Sequence, residues 1–170
     1  LNTFTYRIQK DTEIESPRGT IYDCNGVPLA YNKLSNAITI EDSTLLTDNQ
    51  DRNTMIAKLI GFIESTGNTL NYDIPLEMDA SGTLSFNAGE NTVLRFKKDV
   101  YSSEKLTDEQ TNATAEDVYA YMRGKKLFNL DESYSKEEAL KILSVRFDLW
   151  MKRYEKYLSI TVANDVNDQL

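Results

Sequence analysis

The chain opens on alternating polar and apolar positions and changes period several times after that. Thr3-Phe4-Thr5-Tyr6-Arg7-Ile8 has the two-residue period of a strand and runs toward a break at Ser16-Pro17. Thr20 to Tyr22 and Val27 to Tyr31 are β-prone and flank Asn25-Gly26, which can supply the two positive-φ positions of a type I′ turn. Together they read as a β-hairpin. Asn36 to Glu41 reads as another short strand, ended by Asp42-Ser43. Asp51 or Asn53 can then cap a helix carrying Met55, Ile56, Leu59, Ile60 and Ile63 on one face, with a stop near Ser65-Thr66-Gly67. Asp73 to Phe86 reads as two extended pieces around Ala80-Ser81-Gly82, and Asn91 to Val100 as a helix. Ser102 to Ala113 is polar and of mixed charge, with a Thr107-x-x-Gln110 capping pattern. A mobile lobe over about 66–113 is the expectation there.

The C-terminal third carries the strongest helical signals. Thr114 caps Ala115 to Arg123, and Gly124 stops that run. Ser135-x-x-Glu138 is a capping box, and the periodicity after it continues to about Lys156, which predicts a helix roughly 33 Å long at 1.5 Å per residue. Ala139, Leu143, Phe147, Trp150, Tyr154 and Tyr157 form its apolar stripe, widened by Ile142, Val145 and Leu149. Glu137 and Glu138 at its start and Lys152, Arg153 and Lys156 at its end complement the macrodipole. Leu158 to Ala163 reads as a final strand, and Asn164-Asp165 as a new cap. The fold class is α+β over a single domain, 1–170. Small strands and a hairpin in the N-terminal part pack with several helices, one of them long and amphipathic near the C-terminus.

Composition narrows the function. The chain has 170 residues, enough for one domain with a core, and 40% of them are hydrophobic, which excludes wholesale disorder. The 27 acidic residues against 19 basic ones give a net charge of −8, which argues against binding nucleic acid or an anionic membrane surface. There is no histidine, so the commonest general base and zinc ligand is missing. Cys24 is the single cysteine, which rules out an intrachain disulfide or a cysteine-rich metal site. No apolar run reaches the roughly 18 residues that span a bilayer. Leucine at position 1 suggests a piece of a longer protein.

Serine acyl-enzymes of the penicillin-reactive type need Ser-x-x-Lys, Ser-x-Asn and Lys-Thr/Ser-Gly lining one cleft. Ser102 to Lys105 and Ser133 to Lys136 match the first pattern and Ser85-Phe86-Asn87 the second. Neither Lys-Thr-Gly nor Lys-Ser-Gly occurs, Ser-x-Asn precedes both candidates, and such short patterns recur by composition. No catalytic residue is assigned. The carboxylates concentrate in polar loops and first helical turns, which reads as solvated surface; an acid–base pair would need a facing geometry that sequence does not reveal. Asp42 to Asp51 lacks calcium-loop spacing, and Gly61 with Gly67 makes no phosphate loop, so no metal or cofactor is assigned. Cys24 has no histidine to activate it and reads as a small turn residue. Arg146 falls within the apolar stripe of the last helix, so it should either pair with a carboxylate from another element or stack over Trp150. Arg18 and Asp23 point to opposite faces of a regular strand, so each should tie the hairpin to a different neighbour.

The segment Arg18-Gly19-Thr20-Ile21-Tyr22-Asp23-Cys24-Asn25-Gly26-Val27-Pro28-Leu29-Ala30 resembles the Arg-Gly-x-Ile-x-Asp-Arg-Asn-Gly-x-x-Leu-Ala signature that opens the extracytoplasmic part of class B penicillin-binding proteins. Thr114 to Met122, Tyr134 to Leu140, Arg146-Phe147 and Ile160 to Val166 are similar to later pieces of the same region, so the resemblance runs from about Tyr6 to Asn167 with a poorly matched middle. It implies the non-catalytic pedestal, or dimerisation, domain, closer to the elongation-type branch than to the division-type branch. Arg18, Gly19, Asp23, Asn25 and Gly26 carry over onto the motif, and Cys24 stands where an arginine is usual. The resemblance implies scaffold roles for these residues, no cofactor, and an absent transpeptidase domain as the first partner. It further implies wall-synthesis polymerase and scaffold proteins as partners, with a homodimer as another option. Leu127-Phe128 and Asn91 to Val100 are the expected docking surfaces. It places the parent on the extracytoplasmic face of a bacterial membrane, held by an upstream anchor. The rival readings are a small carboxylate-based hydrolase and a free-standing secreted binding module.

Overall fold

A computed structural model describes residues 18–32, 36–41, 48–71, 73–154 and 159–166. The strand expected over Thr3 to Ile8 lies outside them. The chain divides into two units, Leu1–Leu34 and Ser35–Leu170.

In the first unit, β1 (Ile21–Tyr22) and β2 (Pro28–Ala30) pair antiparallel. The hairpin is as expected, but its turn is not type I′. Gly26 takes φ 82°, whereas Asn25 is not among the positive-φ residues. Gly26 N–H donates to Asp23 O at 3.1 Å and Asp23 N–H to Val27 O at 2.9 Å, which closes a three-residue loop with its one left-handed position at glycine. The cause is Asp23. Its carboxylate accepts the Asn25 and Val27 amides at 2.8 and 2.7 Å and holds the longer loop in place.

In the second unit, α1 (Asn49–Ser65) begins earlier than expected because Asp48 is its cap, accepting the Gln50 amide at 2.9 Å. Asn53 therefore lies inside the helix and is buried, while Met55 turns outward. Thr66 and Gly67, the latter at φ 73°, end the helix. β4 (Glu77–Met78) and β5 (Leu84–Ser85) form a small hairpin whose turn is held by the Asp79 carboxylate, which accepts the Ser81 and Thr83 amides at 2.8 and 2.9 Å. α2 (Glu90–Tyr101), α3 (Asp108–Asn112) and α4 (Ala115–Arg123) follow. Reciprocal capping boxes start α3 at Thr107 and Gln110, and α4 at Thr114 and Asp117. Ile74, Leu76, Leu84, Phe96, Val100 and Ala113, all from the segment 66–113, belong to the same core as the later helices.

α5 (Lys136–Met151) starts at the expected Ser135–Glu138 box but ends at Met151, not near Lys156. Its 16 residues span about 24 Å, so the long helix is a correction. Lys152 is the C-cap, and its ammonium donates to Ser159 O at 3.1 Å. Arg153 donates to Trp150 O at 2.8 Å and lies 4.2 Å over the Trp150 ring. Of the cations expected to complement the helix end, Arg153 thus satisfies a last-turn carbonyl from outside the helix. Tyr154, assigned to the stripe, is 84% exposed.

The chain must turn there because β6 (Ile160–Val166) returns to pair antiparallel with β3 (Asn36–Ile40). Ile40 faces Ile160, Ile38 faces Ala163 and Asn36 faces Val166, with two register shifts. Asn164-Asp165 is therefore part of the strand rather than a helix cap, and Asp165 at φ 51° sits in the irregular stretch. α5 packs on α1 and α4, and its residues from Ala139 to Phe147 are all buried except Lys141. Among the described residues, no helix is long and apolar enough to cross a membrane.

Candidate functional site

The residues that carried the family resemblance meet in the hairpin. Asp23 organises the turn, Gly26 supplies its left-handed position, and Asn25 donates its amide to Asp23. Arg18 contributes its carbonyl, which accepts from the Asn32 side chain. Gly19 and Cys24 are exposed, and an added Cβ at Gly19 would meet nothing within 4 Å. The carboxylate of Asp23 thus acts inside the hairpin, where a reach to a neighbouring element was expected. Ile21, Tyr22, Val27, Leu29 and Tyr31 are more than half exposed.

Arg146 lies in the other unit, in a polar node where α1, α5 and the loop after α4 meet. It is 5% exposed, donates to Asn49 Oδ1 at 2.5 Å, and its guanidinium lies 5.1 Å over the Phe128 ring. An amide oxygen is thus among its partners, and the ring beneath it is Phe128, where Trp150 was expected. Asn53, one turn along α1 from Asn49, donates to Phe128 O at 3.0 Å, and Gln50 donates to Asn129 O at 2.8 Å. Asn129 itself adopts φ 46°. Arg123 closes the far side, donating to Tyr119 Oη, Asp131 O and Tyr134 O at 2.9, 2.7 and 2.9 Å. A cavity of about 540 Å³ opens beside the node, lined by Gln50, Arg123, Lys125, Asn129 and Glu132 among others.

The serine and lysine patterns are spent on local structure. Ser102 is the left-handed C-cap of α2, at φ 49°. Ser133 donates its amide to Asp131 at 2.8 Å. Lys136 donates to Glu116 at 2.6 Å and to Gly82 O at 2.7 Å, and Glu116 also accepts the Leu84 amide at 3.0 Å. That clamp joins the β4–β5 hairpin, α4 and α5. The hydrogen bonds from Lys136 and then Leu84 hold the Glu116 carboxyl below its ordinary value. Among the described residues, no group of three or more Asp, Glu or Cys side chains is placed to hold a metal ion.

The family model of the penicillin-binding protein dimerisation domain matches residues 13–169. The chain belongs to that family. No curated protein matches it by sequence. A dimerisation domain is a non-catalytic pedestal by family, in keeping with the structural use of Lys136 and Ser133.

In the dimerisation domain the two stretches expected to carry docking surfaces are partly buried. Phe128 is 1% exposed and belongs to the core, as do Phe96 and Val100; of the two stretches named, Leu94 is the exposed large apolar residue. Two charged residues escaped the sequence altogether. Lys97 on α2 is buried, donates to Thr111 O at 2.7 Å, and lies 5.1 Å over the Phe86 ring. Asp148, near the end of α5, has its carboxyl pushed up to about 6 by burial and by the facing charge of Asp73. Spacing alone marks neither of them as buried.

Proposed function

We propose that this dimerisation domain is the pedestal of a peptidoglycan D,D-transpeptidase. In this reading it holds the catalytic domain at a set height above the membrane, on the extracytoplasmic face of a bacterial cell. It also offers surfaces to the glycan polymerase and scaffold proteins of wall synthesis, or to a second copy of itself. The observation that carries the reading is the family match over 13–169. The hairpin signature around Arg18 to Gly26 supports the class B family reading, and within it the parent is taken to be of the elongation-type branch. The body's interlocking fastenings, at Lys136–Glu116 and at Asn53–Phe128, suit a part that transmits position rather than one that performs chemistry.

Labelling with a fluorescent penicillin tests this. The isolated chain should take no covalent label, while the parent protein should be labelled in a downstream domain bearing Ser-x-x-Lys. The reading frame should also encode an apolar anchor upstream. Label mapped to Ser102 or Ser133 of the isolated chain, or a frame without a downstream domain, would overturn the proposal.

A further inference from the structure

Asp148 lines a cleft of about 520 Å³ together with Asn71, Asp73, Lys152, Ile160 and Thr161. The cleft separates the end of α5 from β6. Burial first of all sets Asp148 against carrying a charge there, and its surroundings act in the same sense. It lies in the last turns of α5, where the helix dipole is negative. Asp73 faces it from the segment leading to β4, and no described residue donates a hydrogen bond to its carboxylate. Lys152, the one cation acting on it among the described residues, gives its ammonium to Ser159 O. β6 contributes Ile160 and Thr161, neither of which is charged.

The segment that carries Asp73 is docked on β6 by Asn71. The Asn71 backbone amide donates to Val162 O at 2.7 Å, and its side chain donates to Thr161 O at 3.1 Å. Repulsion between Asp148 and Asp73 therefore bears directly on a segment hydrogen-bonded to the last strand. We propose that the proton on Asp148 works as a latch: the neutral side chain lets Asn71 stay docked on β6, and its ionisation pushes Asp73, and with it Asn71, off Thr161 and Val162. The chain has no histidine to confuse the reading. Among the described groups, Asp148 is the one whose carboxyl is raised to about 6, between the ordinary carboxylate and lysine ranges.

The test is an NMR titration of the side-chain carboxyl carbons, combined with amide exchange of Asn71 at pH 5 and 7.5 and corrected for intrinsic rates. Asp148 should titrate near 6, and the protection of Asn71 should fall by about tenfold or more across the same midpoint. Asp148→Asn should make that protection independent of pH. If this variant fails to fold, Asp73→Asn carries the test: it should lower the Asp148 midpoint and flatten the Asn71 response. An Asp148 that titrates in the ordinary carboxylate range would overturn the proposal. So would Asn71 protection that stays level while Asp148 titrates, or an Asp148 midpoint unmoved by Asp73→Asn.

Discussion

The Asn53 side chain, on the buried face of α1, donates to the backbone carbonyl of Phe128 at 3.0 Å across 75 positions of sequence. It also reaches Asn129 O at 3.3 Å, so one amide fastens the loop that delivers the Phe128 ring to the core. Asn53→Ala removes the donor and leaves buried carbonyls without it. The expected cost is about 2 kcal/mol or more in urea unfolding, with little change in the slope. A loss under 0.5 kcal/mol, the range of ordinary surface substitutions, would contradict this role.

Arg146 ties the same node from the α5 side. Arg146→Met keeps the aliphatic stem but loses the hydrogen bond to Asn49 and the cation over Phe128, and should destabilise by more than about 2 kcal/mol. Arg146→Lys should not restore the loss, because a compact ammonium cannot both stack flat on the ring and reach Asn49. Urea melts of the two variants decide it, and a lysine variant as stable as the parent chain would count against the geometry.

Asp148 sets the alkaline side of the stability profile. Its folded carboxyl is raised from 3.8 to about 6, so the folded state holds a proton that the unfolded state has released between those values. Stability contributed by this group is therefore full below about 3.8 and falls as pH rises through about 6, by at most about 3 kcal/mol and by less where solvent screens this half-buried group. The carboxyls of Asp117 and Glu138 are lowered, chiefly by their Thr114 and Ser135 caps, so their contribution is lost as pH falls below the ordinary carboxylate range. Maximum stability should lie in the mildly acidic range, and Asp148→Asn should flatten the decline from pH 5 to 7.5 in thermal melts.

Gly61 lies inside α1, away from any turn, and a Cβ added there meets nothing within 4 Å. Gly61→Ala should stabilise the fold by about 1 kcal/mol through helix propensity and a less flexible unfolded chain. A raised melting temperature would bear this out, and a lowered one would show that the helix needs the bare backbone for close approach.

Ser144 is wholly buried on α5, and its hydroxyl finds no hydrogen-bond partner among the described residues. Ser144→Ala should therefore be neutral or stabilising by up to about 1 kcal/mol in urea melts. A clear loss would reveal a partner for the hydroxyl.

The sequence was most legible where bonds are short in sequence. The boxes at Thr107–Gln110, Thr114–Asp117 and Ser135–Glu138 each span three residues, and each starts its helix where the residues say it should. The end of α5 was illegible because periodicity continued past Met151, while the chain had to turn back so that Ile160 could face Ile40. Asn25-Gly26 misled on turn type because the deciding group was the carboxylate of Asp23, two residues earlier. Phe128 follows a helix stop in a short stretch with no period of its own and so reads as surface; Asn53, Arg146 and Trp150, far away in sequence, hold it inward. Asp148 needed the placement of Asp73, which no local pattern carries.

Because β3 and β6 run antiparallel with Asn36 opposite Val166, the first residue of β3 and the last residue of β6 share one rung of the ladder. Tension applied through those two ends does not shear the pair along its length. It peels the strands apart from the Asn36–Val166 end, one rung at a time, meeting the irregular stretch around Asp165 before the regular pairing at Thr39 and Ile40. A load applied at Asn36 and Val166 is therefore borne first by the seam between β3 and β6. A stretching load would open that seam while the capped helices and the Asn53–Phe128 fastening remained intact.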